Sequence, residues 1–391
     1  MGTVRKLGIA WQVGVPSGWG TYGLNLALAL ADRGVAPELF FKAADLQLPE
    51  ADAARLGSAL ARQPENYAAF RARAGPFAFP MLHALGDKLD LPAPLQALRG
   101  APDIGVVFFE SAVIPPENID AAKRFAVIVA GSSWNAEVLQ RHGLTAVRNC
   151  PQGVDLKLFT PAPKQGRFGD KFVVFSGGKL EYRKGQDLVV AAFQRFQAKH
   201  TDAVLVTAWH SPWPQAAQSM AMSAHLKQQP GLSADGRLDI AGWAAANRIP
   251  PHAIIDLGTL RNVDTPAVLR EADVALLPSR CEGGTNLVAM ECMASGVPVI
   301  LSRNTGHTDL MRPDNCYALD LQIPIGAITG RKDLEGWGES SIDEIVMRLE
   351  QAYADRDDRL RRGVAAAAFM QTWSWAAQTD RFLAAIADFT P

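Results

Sequence analysis

Cysteine is scarce in this chain. Cys150, Cys281, Cys292 and Cys316 are the four in 391 residues, with no C-x-x-C pair and no metal-ligand spacing. That excludes a disulfide framework or a zinc module and leaves reduced thiols as the expected state. No run of 18 apolar residues occurs, and the strand-like segment after Arg5-Lys6 is broken by Gly14, Pro16 and Gly18, so neither a membrane span nor a signal peptide is expected. An excess of either charge is also missing: 39 basic residues face 40 acidic ones. With no basic-aromatic run either, nucleic acid is not an expected partner. Internal repeats and low-complexity segments are absent. The expectation is a soluble, cytoplasmic protein.

What is present is a repeated local pattern of apolar strand, glycine turn and helix. At 391 residues, 48% of them hydrophobic, the chain exceeds one ordinary core and suits two α/β domains. The pattern is densest from Val274 to Leu310. A short apolar strand over Asp273 to Leu277 stops at Pro278, the turn Glu282-Gly283-Gly284-Thr285-Asn286 follows, and a helix starts near Asn286. The free N–H groups of such a helix start, around Thr285 to Leu287, form an anion site above the strand's carboxyl end. Glu291 lies inside LVAMECMA, among apolar neighbours at helical spacing, so its carboxylate needs a partner. Two ribose hydroxyls or a structural arginine would each serve. Upstream, Phe172 to Phe196 repeats the pattern with Lys179, Arg183 and Lys184 in its turn. Near the start, Leu7 to Val15 is a strand, Pro16 to Gly20 a loop, and Thr21 to Ala31 a helix. Gly18, Gly20 and Gly23 spell G-x-G-x-x-G, but the next strand ends in Lys42, not in the acidic residue a dinucleotide site requires.

The Glu282 to Val299 stretch resembles the donor signature of retaining GT-B glycosyltransferases, the large family that includes sucrose synthases, bacterial glycogen synthases and mannosyltransferases of lipid and polysaccharide assembly. That signature has two glutamates, followed by A-M-A-x-G-x-P-V. Here eight residues separate Glu282 from Glu291, one more than usual, and Cys292-Met293-Ala294-Ser295-Gly296-Val297-Pro298-Val299 follow. The segment from Phe172 resembles the family's G-R-L-x-x-x-K-G element, with Lys184 on the family lysine and Lys179 on its arginine. A point charge thus replaces a guanidinium fork, and Arg183 stands beside it. The resemblance implies that Lys179, Arg183, Lys184 and the turn Gly284, Thr285, Asn286 and Leu287 hold a donor diphosphate. It also implies that Glu282 orients the sugar, that Glu291 takes the ribose, and that Gly18 and Gly20 close over the donor. Where many members carry a histidine after the fourth strand, this chain has Glu110, which either meets the acceptor hydroxyl or pairs with a cation such as Arg124.

By the same resemblance the fold is GT-B: two Rossmann-like domains facing a central cleft, 1–163 and 164–372, with a final helix, 373–391, crossing back to the first. Thr160 to Lys171 reads as the linker. The implied activity is metal-independent, retaining transfer of a sugar from a UDP- or GDP-sugar to a hydroxyl of a glycan, lipid-linked or other acceptor, with Glu282, Glu110 and Lys184 as catalytic residues. No cofactor is expected. A sugar phosphorylase or nucleotide-sugar epimerase on the same fold, or a non-catalytic binding subunit, are the alternatives. Asp355-Arg356-Asp357 spells D-x-D but reads as a solvated helix face. His307 is either a donor contact or a structural histidine. Arg55, Arg62, Arg71 and Arg73 form a candidate basic rim for peripheral membrane contact.

Overall fold

Near-continuous Val, Ile, Leu and Ala runs are the pattern of strands covered on both faces, and parallel sheets follow from them. The structure is a computed structural model describing residues 4–14, 17–44, 48–73, 75–233 and 235–390. Two compact units result: Met1–Gly153 with Trp373–Pro391, and Val154–Thr372.

In the first unit the order is β1 (Lys6–Ile9), α1 (Gly18–Ala31), β2 (Ala36–Leu39), α2 (Glu50–Arg55), α3 (Gly57–Arg71), β3 (Met81–Leu85), β4 (Asp103–Val107), α4 (Pro116–Ala122), β5 (Val127–Ala130), α5 (Ser133–Arg141) and β6 (Val147–Asn149). These strands make one parallel sheet in the order β2-β1-β3-β4-β5-β6. The second unit runs β7 (Phe172–Gly177), α6 (Gln186–Gln197), β8 (Ala203–Ala208), α7 (Ile240–Ala246), β9 (Ile254–Asp256), α8 (Thr265–Leu269), β10 (Val274–Leu277), α9 (Leu287–Ala294), β11 (Val299–Ser302) and β12 (Cys316–Leu319). A ribbon of β13 (Gln322–Pro324) and β14 (Gly338–Ser340) flanks α10 (Ile325–Thr329); α11 (Ile342–Ala354) and α12 (Arg356–Met370) follow. Its main sheet, also parallel, is ordered β12-β11-β10-β7-β8-β9. The last helix, α13 (Trp375–Ile386), is capped by Ser374 and packs with the first unit, where Phe382 and Ile386 join the core of Leu7, Leu26 and Leu82. Among the described residues no helix is long and apolar enough to cross a membrane.

Local chemistry corrects three expectations. Ser17 accepts the Gly20 N–H at 3.1 Å and caps α1, so Gly18 and Gly20 lie in the first helical turn and not in a loop. Pro16, the start of that expected loop, lies outside the described residues. Thr160 to Lys171 belongs to the second unit, and the Glu271 carboxylate fixes part of it by accepting the amides of Gln165, Gly166 and Arg167. The candidate basic rim is partly neutralised, since Arg55 pairs with Asp32 and Asp52, and Arg62 with Glu38.

One ion network in the second unit has a fully buried centre. Arg280, 0% exposed, bonds both oxygens of Asp187 at 2.8 and 2.7 Å, donates twice to Glu339, and stacks on Tyr182 at 3.7 Å. His225 joins it from the Glu339 side at 2.8 Å. Removing the cation strands two carboxylates. Arg280→Met is therefore expected to cost about 3–5 kcal/mol in a denaturant titration; a loss below about 1 kcal/mol would show that water reaches the network.

Candidate functional site

In each parallel sheet the chain reverses its direction of growth at one place, and the crevice beyond the strands' carboxyl ends there is the expected ligand position. In the second unit that place is between β7 and β10. The turn after β7 carries Lys179 to Gly185, and the turn after β10 carries Pro278 to Asn286. They touch because position 185 is glycine: its φ is +72°, and a Cβ there would lie 2.2 Å from the Pro278 carbonyl oxygen.

This contact brings Lys184 and Arg183 onto Glu282. The Lys184 ammonium donates to both carboxylate oxygens at 2.8 Å, and Arg183 Nη1 donates to Oε2 at 3.0 Å. Ser279 Oγ donates at 2.6 Å and Asn286 Nδ2 at 3.0 Å. Burial alone pushes this carboxyl up, but Lys184 and Arg183 outweigh it and hold Glu282 down at about 2. Arg183 also reaches Glu181 at 2.6 Å, and Lys179 bonds the other Glu181 oxygen at 2.8 Å. Three cations thus face two carboxylates, leaving one net positive charge at the carboxyl edge of the sheet.

A third segment closes the site from β11. The Glu282 N–H donates to Thr305 Oγ1 at 2.8 Å, and the Gly306 N–H returns a bond to the Glu282 carbonyl at 2.9 Å. Asn286 Nδ2 also donates to His307 Nε2 at 3.0 Å, which leaves the His307 proton on Nδ1. Burial and the nearby Lys184 lower His307 to about 4 against the opposing pull of Glu282, so the ring is neutral. Both non-glycine residues of these turns with positive φ, Asn286 at 62° and Thr305 at 42°, meet here. Such conformations cost on the order of 1–3 kcal/mol each and persist where surrounding contacts over-determine them.

Of the remaining expected residues, Asn286 caps α9 through the Ala289 N–H, so its side chain serves the protein while the first-turn amides of Leu287 and Val288 have no intrahelical acceptor. Gly284 presses its carbonyl against Gly306. Thr285 is buried, and its hydroxyl contacts Met290 Sδ at 3.1 Å, turned toward the core. Glu291 is half-buried and, among the described residues, its carboxylate has no hydrogen-bond or ion-pair partner; desolvation pushes it up to about 8. Gly18, Gly20 and Glu110 lie in the first unit. Glu110 follows β4, half-buried, and its N–H donates to Asp87 Oδ1 at 3.1 Å. Arg124, the suggested partner of Glu110, lies over the Phe125 ring at 4.8 Å. Sequence reasoning missed Glu181, Ser279 and Thr305. Glu181 alone left a signal, as an acidic residue within a basic turn.

With this geometry in place, the fold is that of the GT-B glycosyltransferases. Anabaena HepE, solved with UDP and glucose, superposes with a TM-score of 0.64 at 12% identity, covering 98% of this chain and 100% of that one. The sucrose-phosphate synthase of Thermosynechococcus elongatus superposes at 0.67 with 16% identity over 98% of each chain. Residues 170–322 match the family described as "Glycosyl transferases group 1", and the Glu282 cluster lies inside that stretch. A GDP-mannose-dependent alpha-(1-6)-phosphatidylinositol monomannoside mannosyltransferase of Mycobacterium tuberculosis is 24% identical over 253 residues, which is 61% of this chain and 54% of the relative. The chain thus spans about half the length of that curated relative.

Glu291 yields a prediction that needs no ligand. A carboxyl whose folded pKa is raised stabilises the fold fully below the ordinary carboxylate range, and this contribution is lost as pH rises toward about 8. Glu291→Gln should match wild type in melting temperature near about pH 4 and exceed it increasingly between roughly pH 5 and 8. A pH-independent difference would contradict the assigned environment.

Proposed function

We propose that the chain is a retaining glycosyltransferase acting in the cytoplasm, which moves a sugar from a nucleotide donor, a UDP- or GDP-sugar, to an acceptor hydroxyl. The observation that carries this reading is the Lys179, Arg183 and Lys184 cluster at the switch point of a group 1 domain, with Glu282 in its centre. A nucleoside diphosphate placed there meets three cations and the first-turn amides of α9. As it engages Lys184 and Arg183, Glu282 is freed to accept sugar hydroxyls. Glu291, with no partner among the described residues, is left for the ribose.

In the reaction the bond from the anomeric carbon to the diphosphate oxygen breaks, and a bond from that carbon to the acceptor oxygen forms on the same face. The acceptor proton passes to the departing phosphate. The positive cluster stabilises the leaving charge, the task a divalent ion performs in metal-dependent transferases. Names among the similar proteins support both bases: the mycobacterial mannosyltransferase is GDP-mannose-dependent, and HepE was solved with UDP. A phosphorylase, an epimerase or a silent binding subunit would use the same cluster. Incubation with a panel of nucleotide sugars and of glycans, with acceptors or inorganic phosphate, read by mass spectrometry, separates them: a transferase yields glycosylated acceptor, a phosphorylase a sugar 1-phosphate, an epimerase a changed donor, a silent subunit no product.

Two outcomes are expected. Activity persists in excess EDTA; abolition by EDTA with recovery on adding Mn²⁺ would refute the metal-independent mechanism. Glu291→Ala weakens nucleotide affinity in calorimetry by roughly tenfold, the scale of one or two lost hydrogen bonds, while Glu282→Gln chiefly lowers turnover. Equal donor affinity in wild type and Glu291→Ala would remove the ribose assignment.

A further inference from the structure

The segment joining β8 to α7 supplies none of the Glu282 partners described above. Its first part is a 3-10 helix, Pro214–Met222, in which side chains three residues apart share a face. Ala217 and Met220, both buried, form one face and pack into the core of the second unit. Ser219 and Met222 form another. Both meet Tyr182, the residue immediately before Arg183 and Lys184. Ser219 Oγ accepts the Tyr182 N–H at 2.9 Å while donating to the Ala216 carbonyl at 2.6 Å, so the hydroxyl is held from both sides. Met222 packs against the cluster of Tyr182, Ile325 and Leu334.

Tyr182 is fixed at its other end as well. Its carbonyl accepts from Arg280 Nη1 at 2.5 Å, and the Arg280 guanidinium lies over its ring. Just beyond Met222, His225 bonds Glu339, which in turn holds Arg280. The segment thus reaches the donor turn by two routes, directly through Ser219 and indirectly through His225, Glu339 and Arg280. The charged groups that face His225 are Glu339 from β14, Asp187 from α6 and Arg280 from the β10 turn. The Tyr182 hydroxyl lies 3.5 Å from Glu339, and Lys227 on His225's own segment is exposed. With His225 protonated, two cations balance two carboxylates; without that proton Arg280 alone faces both. The bond to Glu339 raises His225 above the ordinary histidine value against its partial burial, which extends the balanced state to higher pH.

We propose that Ser219 and His225 are positioning residues for the donor cations: they hold Tyr182 so that Arg183 and Lys184 point to the site of the diphosphate, and the His225 contact makes that placement depend on pH. The assignment of a diphosphate to these cations rests on the glycosyltransferase reading, so one of two readouts is taken without ligand. In the first, the full chain is treated with an amine-specific acetylating reagent, and the rate of Lys184 modification is followed by peptide mass spectrometry. Lys184 is shielded by Glu282, with 16% of its side chain exposed against 36% for Lys179. In the second, UDP, GDP and inorganic pyrophosphate are titrated by calorimetry.

In Ser219→Ala the Tyr182 N–H loses its acceptor. Lys184 modification should then quicken by roughly three- to tenfold and affinity for the tightest ligand fall by a similar factor, the scale of one hydrogen bond. Ser219→Thr, which keeps the hydroxyl, should restore both. His225→Gln keeps a donor to Glu339 without the titrating charge. Wild type is expected to bind roughly two- to fivefold more tightly than this variant near about pH 6, an advantage that fades as pH rises above the ordinary histidine range. General loosening of the fold would speed every shielded lysine, so the other lysines serve as the reference. Unchanged Lys184 modification in Ser219→Ala, an acceleration shared by all shielded lysines, equal acceleration in Ser219→Thr, unchanged affinity of Ser219→Ala where wild type binds, or a pH-independent difference between wild type and His225→Gln would overturn the proposal. A wild type that binds none of the three ligands, with Lys184 selectively unshielded in Ser219→Ala, would instead overturn the donor reading.

Discussion

A carboxylate buried at the end of a parallel strand is costly, and the second unit is organised around making one tolerable. Glu282 is ionised only because Lys184 and Arg183 are held within hydrogen-bond reach, with Ser279 and Asn286 satisfying its remaining lone pairs. Each of those partners has its own structural requirement. Lys184 reaches Glu282 only because glycine at 185 lets the β7 turn touch the β10 turn. Asn286 and Thr305 hold positive φ to aim their side chains at the same turn. The deeper Arg280 network with Asp187 and Glu339 then fixes the start of that turn from behind.

Two carboxyls of one short segment end up with opposite protonation behaviour. Glu282 lies among cations and is held at about 2, whereas Glu291, one helix turn and a cap later, meets desolvation without a cation and sits near 8. Environments that push a pair of like groups apart are a mark of sites where each has its own task. Glu282 has a saturated shell that a ligand must break open. Glu291 has an empty one that a ligand can fill. A diphosphate competing for Lys184 and Arg183 would change the first, and neutral hydroxyl groups would satisfy the second without displacing any protein contact.

The parts of this architecture that were legible in the sequence are those set by local chemistry. Apolar strands ending in Pro278 or Gly177, the cap at Asn286 and the pairing of glycine turns with helices are written in neighbouring residues, and they were sufficient to indicate two parallel sheets and the β7 and β10 turns. What was not legible depends on contacts between distant segments. The start of α1 moved because a Ser17 cap competes with an extended loop. Thr305 and Ser279 are ordinary hydroxyl residues until the sheet order brings β11 beside β10. Glu181 looked like an interruption in a basic turn, yet it bridges Lys179 and Arg183.

The two units solve the same topological problem with different side chains. Each leaves a crevice at the carboxyl edge of its sheet, where strand order reverses, and the backbone there offers little chemical distinction. Side chains supply it. In the second unit the turns contribute cations and amides, a field suited to a group that gains negative charge. In the first they contribute indole and phenyl faces, with Trp19 edge-on against Trp11 and Phe108. Parallel sheets thus fix where ligands bind, while a few turn residues decide what binds.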